Sequence, residues 1–404
     1  MNLAASSPRR PIRVLAVDHT AGIIPFRKKF AALAARPEIE LTVLAPDRWV
    51  ENFRAVRASP GEERGFEIRT GRTVWPGYEN RAFFYTGLGP AIRRARPDIL
   101  HLWEEPFSLL TLQALAHAAI WAPRAKALFF SSDNLSRDFH YAYRPSALYA
   151  RVERFAHRRC AGGTAVSLDV AEVLREKGFA KPLEVIPLGL DLADYLSEQG
   201  QSSGEIGRRA LKVDVAARFG FSPPIVAFAG RLLHQKGVDL LLRAAARMDR
   251  VWPSLVIVGE GPERGPLERL AAELGIGART RFLPLVPHAE MPALLAAVDV
   301  LVLPSRTTPR LKEQFGRVLI EGMAAGCVVI GSSSGAIPEV LGDAGLIFPE
   351  EDSAALAITL ERALGDSALR ESLRAAGRQR VRDRYTWEVI TKRIVDFYRR
   401  LLNA

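Results

Sequence analysis

Short apolar runs recur along this chain, each followed by a loop and then by a segment whose apolar residues fall at helical spacing. In the first half they are IRVLAVD (12–18), IELTVLAP, PDILHLW, AKALFFSS, GGTAVS and LEVIPLG; in the second, IVAFAG, SLVIVGEG, TRFLPL, DVLVLPS, CVVIGS and AGLIF. Runs this apolar are buried on both faces, and the helices between successive strands are what cover them. The rhythm predicts an α/β chain of parallel, doubly wound sheets. It lapses once, around 191–224, where SEQGQSSGEIGRR and FSPP make a polar stretch ending in a Pro pair. At 404 residues the chain exceeds one ordinary core. Two Rossmann-like domains are expected, 1–195 and 196–384, with a last amphipathic helix over 385–404. A ligand is expected in the cleft between the carboxyl ends of the two sheets.

Several classes fall away on composition. No apolar run approaches the roughly eighteen residues a membrane span needs, because stretches such as LLAAVDVLVLP are broken by Asp or Pro. The N-terminal apolar stretch is too short for a secretory core, so a cytoplasmic protein is expected. Cys160 and Cys327 lie in different halves among small apolar neighbours, which points to buried packing and not to a disulfide or a metal site. The formal charge is +11, and residues 1–195 hold 28 Lys and Arg against 21 Asp and Glu. Nucleic acid, anionic lipid and phosphorylated small molecules all suit such a surface.

Two segments of the second half carry chemistry. In VAFAGRLLHQKGVDLLLRA a strand ends at Gly230 and a helix begins near Val238, leaving Arg231 and Lys236 in a loop at a strand's carboxyl end. Two cations there can hold a diphosphate, or can be a solvated pair of loop charges. In KEQFGRVLIEGMAAG the amides of Phe315, Gly316, Arg317 and Val318 open a helix, an arrangement that favours an anion. Glu321, one turn in, can accept hydrogen bonds from a ribose diol, and Glu313 can do so from sugar hydroxyls, since carboxylates are pure acceptors. Alternatively Glu313 is a solvated loop residue and Glu321 a surface residue paired with Arg317. That second account leaves the loop cations and the Gly-containing loop SSSGAIPEV without a role.

Taken in order, strand-GRL-loop-KG, VGEGPER, the two glutamates with seven residues between them, AAG and SGAIPEVLGDAGLIF resemble family 4 of the retaining glycosyltransferases, which have the GT-B fold. The resemblance is close over about 225–350 and looser before it, at PDILHLWEEPFSLLTLQAL and LEVIPLGLDLADY. It implies that Arg231 and Lys236 hold the diphosphate of a nucleoside-diphosphate sugar, and that Glu321 binds the ribose. Glu313, with the amides of Phe315 and Gly316, would grip the transferred sugar. The catalytic set would then be Arg231, Lys236 and Glu313, within a donor site of Gly230, Arg231, Lys236, Glu313, Phe315, Gly316, Arg317, Val318 and Glu321. No Asp-X-Asp triplet occurs, so no metal and no cofactor is expected. The final helix, from Trp387, would cross back onto the first domain.

Three departures concern the sugar and the acceptor. Gln235 stands where the family often has Glu, DHTAGIIPF has Gly22 alone in place of a Gly pair, and FFSSDN lacks the His some members direct at the sugar. Strand-end position leaves His19, Gly22, His101, Glu104, Glu105 and Asn134 as acceptor-side candidates, with His101 equally able to be a core residue. The helix FRKKFAALAAR sets Phe26, Phe30 and Leu33 beside Arg27, Lys28 and Lys29. Such a face can rest on the anionic inner face of a membrane, as IRRAR and ARVERFAHRR could, or pack on the sheet with its cations solvated. The expected activity is retaining, metal-independent transfer of a sugar from a nucleotide sugar to a glycan or lipid-linked hydroxyl acceptor in glycan, glycolipid or polysaccharide biosynthesis. The alternatives are a sugar-nucleotide epimerase of the same fold and a non-catalytic nucleotide-sugar-binding protein. A nucleic-acid partner is not expected, because no recognised module or aromatic platform accompanies the charge.

Overall fold

The computed structural model describes residues 10–51, 54–58, 60–63, 65–78, 81–84, 86–135, 146–195, 220, 222–248, 253–309 and 311–404. The chain divides into two compact units, 1–189 with 387–404, and 190–386. Most of the polar stretch read as a linker lies outside the described residues. The first unit runs to Gly189, and Leu190 lies with the second. Its amide donates to the Tyr385 carbonyl at 2.9 Å, and it forms a parallel bridge with Thr386.

In the first unit the sheet strands are β1 (Ile12–Val17), β2 (Ile39–Pro46), β3 (Gly61–Glu63), β4 (Phe66–Gly71), β5 (Ile99–Leu102), β6 (Lys126–Ser131), β7 (Gly162–Ala165) and β8 (Leu183–Val185). Their spatial order is β8-β7-β6-β5-β1-β2-β4-β3, with every pair parallel except the edge pair β3–β4. The chain winds outward from β1 through β2, then returns to β5 on the other side, so the winding reverses between β1 and β5. Loops leaving the carboxyl ends of those two strands diverge and leave a crevice. The helices include α1 (Lys28–Ala34), α2 (Leu88–Ala95), α3 (Leu109–Trp121), α4 (Ser146–Arg159) and α5 (Leu168–Glu176).

The C-terminal helix Trp387–Asn403 belongs to this unit. Its stripe of Trp387, Ile390, Ile394, Phe397, Tyr398 and Leu401 shares one buried cluster with Val14, Ala16, Phe30, Leu33 and Leu128. Each such side chain contributes about 1.5–3 kcal/mol by leaving water. The helical face of FRKKFAALAAR is engaged in the same way. Phe30 and Leu33 are buried, Arg27 pairs with Glu63 at 2.7 Å, and Lys29 pairs with Asp18 at 2.5 Å.

The second unit has β9 (Ile225–Ala229), β10 (Ser254–Val258), β11 (Thr280–Leu283), β12 (Val300–Leu303), β13 (Val328–Ser332) and β14 (Leu346–Phe348), all parallel, in the order β11-β10-β9-β12-β13-β14. Every residue of β9, β12 and β13 is buried, as their apolar sequences require of strands covered on both faces. Here the reversal lies between β9 and β12. The loop after β9 leads into α6 (Val238–Ala246), and the loop after β12 into α7 (Arg317–Ala325). Among the described residues no helix is long and apolar enough to cross a membrane.

Candidate functional site

The two segments singled out in the second half are the two loops that flank the reversal of its sheet. After β9, Gly230 still joins the ladder, its amide donating to the Val258 carbonyl at 3.0 Å. The chain then turns at Gly237, whose φ of 67° is left-handed, and a Cβ there would lie 2.0 Å from the Pro304 carbonyl oxygen. That close approach carries Lys236 up against the loop that follows β12. Lys236 Nζ donates to Glu313 Oε2 at 2.6 Å, and the Ser305 hydroxyl donates to the same oxygen at 2.7 Å. Glu313 is therefore a buried, ion-paired residue and not a solvated one; it is 7% exposed. Arg231 stands apart: exposed, with no side-chain hydrogen bond or ion pair among the described residues.

Helix α7 begins at Gly316, whose φ of 76° lets the chain enter the helix without a side-chain cap. The amides of Phe315 and Gly316 donate to no group among the described residues, leaving them able to receive an acceptor. Phe315 is buried with its ring 5.9 Å from that of Tyr385, and Val318 is half-buried in the first turn. Glu321 pairs with Arg317 at 3.0 Å, as the four-residue spacing allows, yet it is 7% exposed and so no surface residue. Burial pushes its carboxyl above the usual carboxylate range, with Arg317 opposing. Burial, reinforced by Glu321, likewise raises the phenol of Tyr195.

One organising residue escaped the sequence reading. Arg306, 4% exposed, pairs with Asp239 at 3.0 Å and Glu351 at 2.9 Å and lies 3.2 Å from the His234 ring. Its amide donates to the Gln235 carbonyl at 2.9 Å, so one residue ties together the two loops that carry Lys236 and Glu313. The available signal was an arginine immediately after the strand DVLVLPS, the same placement that drew attention to Arg231.

In the first unit, the carboxyl ends of β1, β5 and β6 are adjacent and bring most of the acceptor-side candidates to one sheet edge. His19 Nδ1 lies 2.9 Å from both Glu104 oxygens, and the His19 amide donates to Glu104 at 2.9 Å. Burial pushes the Glu104 carboxyl up, with His19 opposing. Beside them, burial disfavours the charged form of Asp18, but Lys29, His19 and the hydrogen bonds from Lys29 and Thr20 outweigh it and hold its carboxyl low. Asp18, His19 and Glu104 are close enough to share an ion, yet Lys29 already supplies the positive charge at Asp18. Glu105 accepts from the Ser131 hydroxyl at 2.6 Å and from the amide and hydroxyl of Ser132 at 2.7 and 2.8 Å. Burial, helped by Asp133, still pushes it up to about 7. Asn134 donates to Asp169 at 2.9 Å.

Two candidates are placed differently. His101 has no exposed surface: its ring stacks on Trp103 with centroids 4.5 Å apart, and Nδ1 lies 2.7 Å from the Tyr398 hydroxyl of the C-terminal helix. It is a core residue and does not face the strand-end loops. Gly22 has an ordinary backbone, and a Cβ there would only touch Ala58 at 3.7 Å, so this position does not demand a glycine.

Burial and Lys29 lower His101 to about 3, so it is neutral in the folded protein, while the unfolded imidazole titrates near 6.5. Between those values the unfolded chain binds the extra proton, so this residue's contribution to stability falls as pH drops below 6.5. Glu105 acts in the opposite sense between 4.5 and about 7, where the folded state holds the proton, so the His101 effect is read as a difference. A His101→Phe variant is expected to lose stability at neutral pH, because the Tyr398 hydroxyl loses its partner. It should regain ground on wild type by up to about 1.4 kcal/mol per pH unit below that window's top. Urea unfolding at several pH values checks this, and parallel profiles would refute it.

Comparison with known proteins gives these loops a context. Residues 217–380 match the model for glycosyl transferases group 1, and residues 28–194 match that for glycosyltransferase family 4. A GDP-mannose-dependent alpha-(1-6)-phosphatidylinositol monomannoside mannosyltransferase of Mycobacterium tuberculosis is 31% identical over 297 residues, 71% of this chain and 74% of that protein. The chain belongs to glycosyltransferase family 4. Another relative of this family-4 chain, the D-inositol 3-phosphate glycosyltransferase of Salinispora tropica, is 34% identical over 54% of the chain but only 45% of its own length. The chain thus spans about half the length of several curated relatives it matches. Among solved structures, a sucrose-phosphate synthase from Thermosynechococcus elongatus aligns with TM-score 0.69 at 21% identity, covering 98% of this chain and 100% of that one. The Anabaena protein HepE, solved with UDP and glucose, aligns with TM-score 0.68 at 19% identity, covering 96% of this chain and 100% of that one. At such identities the likeness carries the fold, and the fold of this family-4 chain is GT-B.

Proposed function

We propose that the chain transfers a sugar from a nucleoside-diphosphate sugar to a hydroxyl group of a glycan or lipid-linked acceptor, with retention of anomeric configuration and without a metal ion. The observation that carries this reading is the joining, at one sheet reversal, of the Lys236–Glu313 pair to an uncapped helix start whose Phe315 and Gly316 amides have no acceptor among the described residues. In the step proposed, the bond from the sugar's C1 to the diphosphate oxygen breaks, and its electron pair leaves on the diphosphate. The acceptor oxygen bonds to C1, and its proton passes to the departing phosphate side. Cations and amide dipoles already in place where that negative charge grows lower the barrier without reorganisation.

Lys236 has three donors and spends one on Glu313, so it can serve a phosphate and keep the pair. Glu313 in turn accepts from sugar hydroxyls, the exposed Arg231 meets the diphosphate, and Glu321 accepts from the ribose. Metal independence rests on this supply of cations, and its check is turnover that persists in excess chelator. Relatives are named for mannosyl and glucosyl transfer, and HepE was solved with UDP. They support a nucleotide-sugar donor of this class.

Thermal melts with UDP, GDP and ADP test the donor site. The preferred diphosphate at about a hundred times its Kd should add roughly 2.7 kcal/mol of stability. Glu321→Gln should weaken that nucleotide while leaving inorganic pyrophosphate unaffected, because only the nucleotide carries a ribose. Equal weakening of both would remove the ribose assignment. Incubation with the matching sugar nucleotide and an acceptor should release diphosphate and give a product of unchanged anomeric configuration; interconversion of the free sugar nucleotide would instead favour an epimerase.

A further inference from the structure

Helices α2 and α3 of the first unit leave between them an open cavity of about 890 Å³, lined by Arg93, Arg94, Arg96, His117 and Trp121 among others. None of these residues belongs to the carboxyl-end loops described above. Helix α2 buries Leu88, Ala91 and Ile92, which turns Arg93 and Arg94 outward. Arg96 ends the helix with φ 41°, a left-handed conformation that Gly or Asn adopts more readily than arginine. Among the described residues no carboxylate pairs with any of the three, whereas Arg13, Arg27 and Arg69 of the same unit pair with Asp98, Glu63 and Glu67. The Arg93 guanidinium lies 5.8 Å from the Trp121 ring centroid. Across the cavity, His117 packs so tightly on α2 that a Cβ at Gly89 would come within 3.1 Å of its Nδ1, a buried nitrogen with no hydrogen-bond partner among the described residues.

Three like charges around one concavity repel one another, and a multivalent oxyanion relieves that repulsion while matching the guanidinium fork. Trp121, 46% exposed, offers an apolar face beside the charges. We propose that this cavity binds a phosphate ester, the phosphate on Arg93, Arg94 and Arg96 and the body of the ligand on Trp121. The assignment is independent of the transfer reaction. Two sources share this chemistry: a free phosphorylated small molecule and a phospholipid headgroup.

The test compares wild type with an Arg93→Gln/Arg94→Gln/Arg96→Gln variant and with a control that removes the same charge from the second unit, Arg243→Gln/Arg269→Gln/Arg281→Gln. Both sets are exposed, so folding is not at risk. The probes are glycerol 3-phosphate, followed by calorimetry, and vesicles of phosphatidylcholine with and without phosphatidylglycerol, followed by flotation at low salt. The α2 variant should bind one of these probes about tenfold or more weakly, with the control near wild type. Loss confined to glycerol 3-phosphate identifies a free ester, and loss confined to the anionic vesicles identifies a headgroup. Equal weakening in the control, no weakening in the α2 variant, or no binding of either probe by wild type overturns the proposal.

Discussion

Lys236→Ala is expected to lower the rate of sugar transfer by about 10²–10³-fold, equivalent to roughly 2.7–4 kcal/mol of transition-state stabilisation from one preorganised donor. The same change strands Glu313, which is 7% exposed and would be left with the Ser305 hydroxyl at 2.7 Å as its remaining side-chain partner described at Oε2. Removing one partner of a buried pair typically costs about 3–5 kcal/mol, so a melt must accompany the kinetics. The double variant Lys236→Met/Glu313→Gln separates the two effects. It removes both charges, so stability should largely return while transfer stays lost. Near-normal turnover by a folded Lys236→Ala protein would end the donor-site assignment. Recovery of turnover in the double variant would reduce the pair to a structural role.

A comparable loss is expected from a residue with no functional group. Gly335 has φ 54°, and a Cβ there would sit 2.1 Å from the carbonyl oxygen of Glu313, the same oxygen that accepts the Ala336 amide at 3.0 Å. Gly335→Ala adds a left-handed penalty of roughly 1–2 kcal/mol and also forces two backbone segments apart. Displacing a catalytic group by even about 1 Å can cost on the order of 10²-fold. The variant should therefore fold with a lowered melting temperature and transfer sugar very poorly. Gly265→Ala is the control, since its Cβ would meet only the end of Arg269 at 3.6 Å. Normal kcat in Gly335→Ala would show that the loop does not position Glu313.

Both expectations turn on features that are unequally visible in one dimension. Gly230 and Arg231 announce themselves, because a glycine and a cation directly after a buried strand have few other uses. Glu313 and Lys236 are 77 residues apart, and their 2.6 Å pairing follows only from β9 and β12 lying side by side. Arg306 was passed over for the same reason: its worth lies in Asp239, Glu351 and His234, none of them close in sequence. His101 shows the converse case, left open by the sequence between a strand-end candidate and a core residue. Its position at a strand end made it a candidate, but the C-terminal helix, nearly 300 residues later, supplies Tyr398 and encloses it. Lys29 was counted as a surface cation and is held at Asp18.

The edge pair Gly61–Glu63 and Phe66–Gly71 was not among the apolar runs, but by itself the amino-acid sequence determined most of the parallel strands, the helices that alternate with them and the loops at which chemistry could occur. Those follow from local periodicity and from the burial that each short apolar run demands. Which charges are matched, which glutamates are buried and which histidine is silent were decided only by the tertiary structure. Coulombic pairing and desolvation depend on distance and enclosure, and neighbours that set them come from strands and helices far apart along the chain.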